Sequence, residues 1–255
     1  MINLSFDTGA LLAVLLVSIR VAVLFFATPM DALSQLPVHI RLFLVLTLSV
    51  VLTQLLDIKP VTGVVDAVTL AVAAINELVL GTLMAFGLHA AFASFMVAGK
   101  LIDFQSGFGS AEILNPAAGT SSPMTGMVLS LMAMLFFFLS NAHHLLLKGI
   151  AWSLVKVPPG QPLTSLNVDA VIQQFGAMFM YGLVIAAPIV GVLLLLDTTT
   201  AVMGKSMPQM NVYFLFLPLK IGVALVMSAL AVRFMSPVIE KVFLISFTYM
   251  QKVVL

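Results

Sequence analysis

Apolar residues run along this chain in long stretches, and its polar positions gather in short clusters between them. Length alone predicts helical segments at about 10–28, 40–56, 67–98, 124–147, 170–203 and 211–235, with a mixed C-terminal tail. A helix needs about 20 largely apolar residues to cross a bilayer. Residues 124–147 and 170–196 reach that length. Residues 42–56, bounded by Arg41 and Asp57, fall short; residues 67–98 exceed one straight span and hold Glu77. Six spans is the simplest count, and several fit a bilayer poorly.

The longest polar interruption runs Asp103-Phe104-Gln105-Ser106-Gly107-Phe108-Gly109-Ser110-Ala111-Glu112, then through Asn115-Pro116 to Gly119-Thr120-Ser121-Ser122-Pro123. Irregular backbone cannot face lipid, because its unpaired N–H and C=O groups would cost several kcal/mol each, roughly. Such a segment loops into water or lies inside the protein along a water-filled cavity. The first option is ordinary; the second implies a pore. Prolines mark the other breaks: Pro29 and Pro37 around Asp31, Pro60 before Gly63, and Pro158-Pro159-Gly160-Gln161-Pro162. The last is the strongest terminator and the best candidate boundary, leaving a two-helix unit from 170 to 255. No tandem repeat is visible.

Composition then narrows the class. The chain is 62% hydrophobic and 8% charged, with mean hydropathy +1.19. That is far too little charge for a soluble domain of this length, and the apolar runs are too continuous for barrel strands. The expected fold class is all-α, an integral membrane protein. A net charge of +1 gives no reason to expect nucleic acid as a partner. Without cysteine there are no disulfides, thiolate metal sites or cysteine nucleophiles. No basic residue precedes Arg20, so the charged start of a secretory signal is missing and the first apolar segment is expected to be retained. Loop charges divide Lys59, Lys148, Lys156, Arg233, Lys241 and Lys252 from Arg41, Lys100 and Lys205. This tilts toward cytoplasmic termini by too small a margin to decide topology.

Charges inside apolar segments are the first candidates for chemistry. A lone charge at mid-bilayer costs roughly 2.5–3.5 kcal/mol on insertion scales. Arg20 and Glu77 are therefore expected to find partners within the protein or across a subunit boundary. Snorkelling is the ordinary alternative, and it is weaker for the short Glu77 side chain. Lys220 follows Pro218 in a similar setting, where a helix break would free a carbonyl. Small residues at four-residue spacing (Gly87 with Ala91; Ala90, Ser94 and Ala98) imply close helix packing. His143 and His144 are adjacent and point to different helix faces, so they lack metal-ligand spacing. No HExxH, phosphate-binding lysine loop or GxSxG is present, and Gly107-Phe108-Gly109 lacks the rest of a dinucleotide fingerprint. Neither catalysis, cofactor nor metal is expected. Sixteen methionines are ordinary helix filler or, near Met124, Met127, Met207 and Met210, a deformable seal.

Several segments together resemble the FliR family of flagellar export-gate proteins. Ile19-Arg20-Val21 with Pro29, Pro37 and Arg41 resembles its start. Glu77 through Gly81 resembles its acidic residue before a helix glycine. Gly99-Lys100-Leu101-Ile102-Asp103-Phe104-Gln105-Ser106-Gly107-Phe108, then Asn115-Pro116, is similar to its central loop. Pro208-Gln209-Met210-Asn211-Val212-Tyr213-Phe214, then Pro218-Leu219-Lys220-Ile221, resembles its most distinctive motif. The match spans about residues 10 to 235. The chain departs from the pattern at Asn115, where aspartate is common, at Met207, and in lacking a glycine near Asp31.

The resemblance implies a core subunit of the type III export gate, built with FliP and FliQ in the bacterial inner membrane. The gate lies within the flagellar basal body, part of it raised toward the periplasm. FlhB and FlhA are implied as further partners, and unfolded proteins as substrates. Residues 1–165 would be FliP-like and 166–255 a FliQ-like helical hairpin within a cone-like hetero-oligomer. The loop at 103–123 would line or plug the pore through Asp103, Phe104, Gln105, Ser106, Gly107, Phe108, Gly109, Glu112, Asn115 and Pro116. Arg20, Glu77 and Lys220 would be buried charges or subunit contacts, and Pro208, Gln209, Asn211 and Pro218 would shape the hairpin turn. The alternatives are the equivalent subunit of a virulence injectisome and a small-molecule transporter. A transporter would carry an inverted repeat, and an intramembrane enzyme would need a convergent catalytic constellation; neither is visible.

Overall fold

The computed structural model describes residues 8–27, 29, 36–61, 66–108, 123–162, 166–207, 209 and 212–253. The fold is all-α. Among the described residues seven helices follow in order: α1 (Thr8–Phe26), α2 (Val38–Leu55), α3 (Ala67–Ser106), α4 (Met124–Leu139), α5 (Ala142–Lys156), α6 (Val168–Ser206) and α7 (Val212–Val253). Five are long and apolar enough to cross a membrane, or six if α4 and α5 count as one interrupted span. Length separates them into two kinds. At 18 residues, α2 spans roughly 27 Å, while the 40, 39 and 42 residues of α3, α6 and α7 each give roughly 60 Å. A hydrocarbon core is about 30 Å thick, so the long helices outrun it twofold unless they tilt steeply.

Four expectations about helix limits need correction. First, the tail after 235 is helical. Met235, Ile239, Val242, Ser246, Tyr249, Met250 and Val253 are buried at helical spacing, whereas Arg233, Glu240, Lys241 and Lys252 are exposed. Second, the stretch from 124 to 147 is interrupted. Ser140 donates its N–H to the Phe136 carbonyl, closing α4, and Asn141 adopts a left-handed backbone with φ 56° before α5 begins. Asparagine tolerates that conformation better than most residues. Third, α3 continues beyond 98 to Ser106. Phe95, Ala98, Ile102, Asp103 and Ser106 keep one face buried, so the first four residues assigned to the central loop form the last helical turn. Gly107, at φ 90°, ends it and returns its N–H to the Asp103 carbonyl. Pro218 likewise does not end a helix: α7 runs through both Pro218 and Pro237.

The chain forms two compact units. Unit 1 comprises residues 1–90, 141–174 and 244–255, and includes α1, α2 and α5. Within it α1 packs on α2. Its core is aliphatic, including Leu16, Val17 and Val21 of α1, Leu80 and Met84 of α3, and Ile150 and Leu154 of α5. In α2 the buried hydroxyls of Ser49 and Thr53 bond to the Val45 and Ser49 carbonyls at 2.7 Å, so neither is left unsatisfied.

Unit 2 comprises residues 91–140 and 175–243. Four phenylalanines gather there, Phe92 and Phe95 of α3, Phe137 of α4 and Phe243 of α7, with ring centroids 5.2–6.4 Å apart. Such tilted pairs add a directional term to simple burial. Gly99 lets α3 and α4 touch through their backbones, since a Cβ at Gly99 would overlap the backbone of Gly126. Gly99→Ala is expected to cost roughly 1–3 kcal/mol by overpacking. It should lower the Tm of the chain in detergent, whereas Gly191→Ala, inside α6 with nothing within 4 Å of its Cβ position, should not lower it.

Candidate functional site

In unit 1 the largest fully buried side chain is that of Arg20, with 0% exposure in a mostly aliphatic core. Its Nε meets Glu77 Oε2 at 2.6 Å and its Nη2 meets Glu77 Oε1 at 3.0 Å, a bidentate pair. Nη1 donates to Ser153 Oγ at 3.2 Å, and Nη2 also donates to the Val157 carbonyl at 3.0 Å. One side chain thus binds α1 to α3, to α5 and to the chain leaving α5. Gly81 makes the approach possible. It lies one turn beyond Glu77, and a Cβ there would come within 2.8 Å of the Arg20 carbonyl oxygen. The acidic residue followed by a glycine therefore acts as a unit: the glycine brings α3 against α1, and the glutamate reaches the arginine.

A second buried polar knot lies in the same unit. Gln174 Nε2 donates to Ser246 Oγ at 3.0 Å and to the Gly87 carbonyl at 3.4 Å, joining α6, α7 and α3. Tyr249 packs its ring edge-on against Phe86, with centroids 5.9 Å apart.

Unit 2 holds the described part of the central polar segment. Asp103 is buried, and its carboxylate accepts the Thr125 N–H at 3.1 Å as well as the Thr125 hydroxyl. Thr125 is in the first turn of α4, whose N-cap residue, Pro123, supplies no side-chain cap. Asp103 therefore caps that helix from α3, where a negative charge is favoured by the exposed N–H groups. The same contact closes the base of the segment between 107 and 123. Gln105 Nε2 donates to Asp197 Oδ2 at 2.6 Å, and Lys220 Nζ meets Asp197 Oδ1 at 2.7 Å. Phe104 is 82% exposed, Ser106 is buried, and Gly107 and Phe108 are half-buried. Gln209 is exposed in the turn between α6 and α7, and Pro218 sits inside α7. Gly109, Glu112, Asn115, Pro116, Pro208 and Asn211 lie outside the described residues.

Of the charges singled out in the sequence, Arg20 and Glu77 meet each other and Lys220 meets Asp197. Sequence reasoning passed over Asp197, although the same signal was present: one carboxylate inside an apolar helix, in Leu193-Leu194-Leu195-Leu196-Asp197. Thr125 and Ser153 gave no comparable signal, since neutral hydroxyls are unremarkable in membrane helices. Removing Glu77 leaves a buried guanidinium without its counter-charge, a loss of roughly 3–5 kcal/mol. Glu77→Ala should therefore lower the Tm of the purified chain strongly. The double change Arg20→Met with Glu77→Leu should cost less than Glu77→Ala alone, because no buried charge is then left unpaired.

Comparison with known proteins agrees with these motifs. The family model described as bacterial export proteins, family 1, matches residues 11–245. The flagellar biosynthetic protein FliR of Bacillus subtilis (strain 168) is 31% identical over 235 residues, covering 91% of this chain and 90% of that protein. FliR of Aquifex aeolicus (strain VF5) is 29% identical over 222 residues, covering 87% and 85%. The Yop proteins translocation protein T of Yersinia pestis is 29% identical over 163 residues, covering 63% and 62%. With helices of membrane-spanning length and a match over nearly its whole length, this chain belongs to the bacterial export proteins, family 1, alongside the flagellar biosynthetic FliR proteins.

Proposed function

We propose that this chain is a core subunit of the flagellar type III protein export gate. It assembles with FliP and FliQ into the channel that carries unfolded flagellar proteins across the inner membrane, with FlhB and FlhA as neighbouring components. Part of the assembly is raised toward the periplasm, within the flagellar basal body. Residues 1–165 take the FliP-like role and 166–255 the FliQ-like hairpin, whose turn is shaped by Pro208, Gln209, Asn211 and Pro218. The segment at 103–123 lines or plugs the export path through Asp103 to Gly109, Glu112, Asn115 and Pro116. Arg20, Glu77 and Lys220 are the charges on which folding and assembly depend.

The observation that carries this reading is how the root of the central segment is held. Its two ends are fixed at Asp103–Thr125 and by the backbone contact of Gly99 with Gly126. Between these anchors lies a stretch rich in glycine and serine. Fixed ends with permissive backbone between them suit a plug that is displaced by a passing chain and then returns. Phe108, Ile113 and Leu114 supply apolar closure. Helices of twice the bilayer thickness also suit a subunit that extends beyond the hydrocarbon layer. The similarity to a Yersinia translocation protein supports an injectisome subunit as the second reading, with the same fold and mechanism.

Native mass spectrometry of this chain, alone and co-expressed with the FliP and FliQ encoded beside it, tests the proposal. The expected result is one discrete hetero-oligomer containing all three. A stable monomer or homodimer that ignores both would contradict it and favour a transporter, with ligands sought around Arg20, Glu77 and Lys220.

A further inference from the structure

We propose that Asp197 is a positioning residue of the gate, tying the root of the central segment to the α6–α7 hairpin. The inference rests on the reading of residues 103–123 as the element that seals the export path. Asp197 divides its two carboxylate oxygens. Oδ1 meets Lys220 Nζ at 2.7 Å on α7, and Oδ2 accepts from Gln105 Nε2 at 2.6 Å on α3. One carboxylate on α6 therefore holds three helices of unit 2.

The placement of Gln105 gives this contact its consequence. It sits two residues before Gly107, where α3 ends. Asp103, two residues earlier still, grips Thr125 of α4. Positions two apart on a helix lie about 200° apart around its axis, so the last turn of α3 is held from opposite sides. Without Asp197 the Gln105 side of that turn loses this polar tie, while the Asp103 side keeps its own.

The pair also suits a register device more than a source of stability. An aspartate and a lysine within apolar helices of this length need each other. The pair is partly open, with Lys220 16% and Asp197 39% exposed, so its net contribution to stability is small. Its selectivity is large: only one alignment of α6 with α7 brings Asp197 to Lys220, and only one orientation of α3 then brings Gln105 to the remaining oxygen.

The test uses the assembled complex in the membrane and reads two quantities, the yield of the hetero-oligomer and the passive ion leak. The variants are Asp197→Ala, Gln105→Ala, the exchange Asp197→Lys with Lys220→Asp, and deletion of residues 106–112. We expect Asp197→Ala and Gln105→Ala to raise leak at least threefold per assembled complex. The exchange should bring leak back toward wild type. An ammonium placed on α6 can still pair with a carboxylate placed on α7, and it can donate to the side-chain carbonyl oxygen of Gln105. The deletion should leak most. Should Asp197→Ala prevent assembly, Gln105→Ala decides, since it removes one hydrogen bond and no charge. Wild-type leak in Gln105→Ala beside a leaking deletion overturns the proposal and leaves the gate reading intact. A fall in yield with no change in leak per complex overturns it too, by reducing Asp197 to a folding role. Wild-type leak in the deletion itself sinks the plug reading and this inference with it.

Discussion

An arginine withdrawn from water must place its N–H groups on acceptors inside the protein, and in this chain that requirement organises the first unit. The guanidinium of Arg20 carries only donors and cannot reach solvent. Its acceptors come from Glu77, Ser153 and the Val157 carbonyl. These belong to segments 57 to 137 residues away in sequence, so the chain must return twice to the same point before the charge is satisfied. Apolar packing between membrane helices tolerates sliding and rotation, because one aliphatic face resembles another and lipid is as apolar as either. A bidentate ion pair does not tolerate it. The aliphatic core of the unit supplies contact, and the pair selects which contact.

The second unit solves a related problem with carboxylates. Asp103 caps α4, and Asp197 joins α6 to α7 and to the end of α3. Both lie close to the place where regular helix gives way to a glycine-rich segment. The polar contacts of this unit are concentrated where the helix ends, and the phenylalanine cluster fills its interior. That arrangement anchors the residues flanking the central segment, which is what the proposed plug requires.

Much of this was legible in the sequence, and the limits have physical causes. Long apolar runs gave the helices and their approximate places, because a spanning helix leaves a signal some 20 residues long. Arg20 and Glu77 stood out by charge, yet their pairing could not be read, since it depends on how α3 returns to α1. The C-terminal helix was present as period: Met235, Ile239, Val242, Ser246 and Tyr249 mark one face. The exposed charges Arg233, Glu240 and Lys241 between them made the stretch look mixed. The break at Asn141 turned on one residue's tolerance of a left-handed backbone, a signal too small to outweigh the apolar run around it. Polarity also misled at Asp103 to Ser106. Those side chains look like loop, but Asp103 is occupied by α4, Gln105 by α6 and the Ser106 hydroxyl by the Asp103 carbonyl of its own turn, and the backbone stays helical.

The most direct test of the account is whether the central segment meets the exported chain. A photo-crosslinking residue at Phe108, in an assembled complex carrying a stalled export substrate, reads this at a single position. The account predicts crosslinks to the substrate, replaced by crosslinks within the complex when no substrate is present. Crosslinks to lipid alone, with or without a stalled chain, would contradict it.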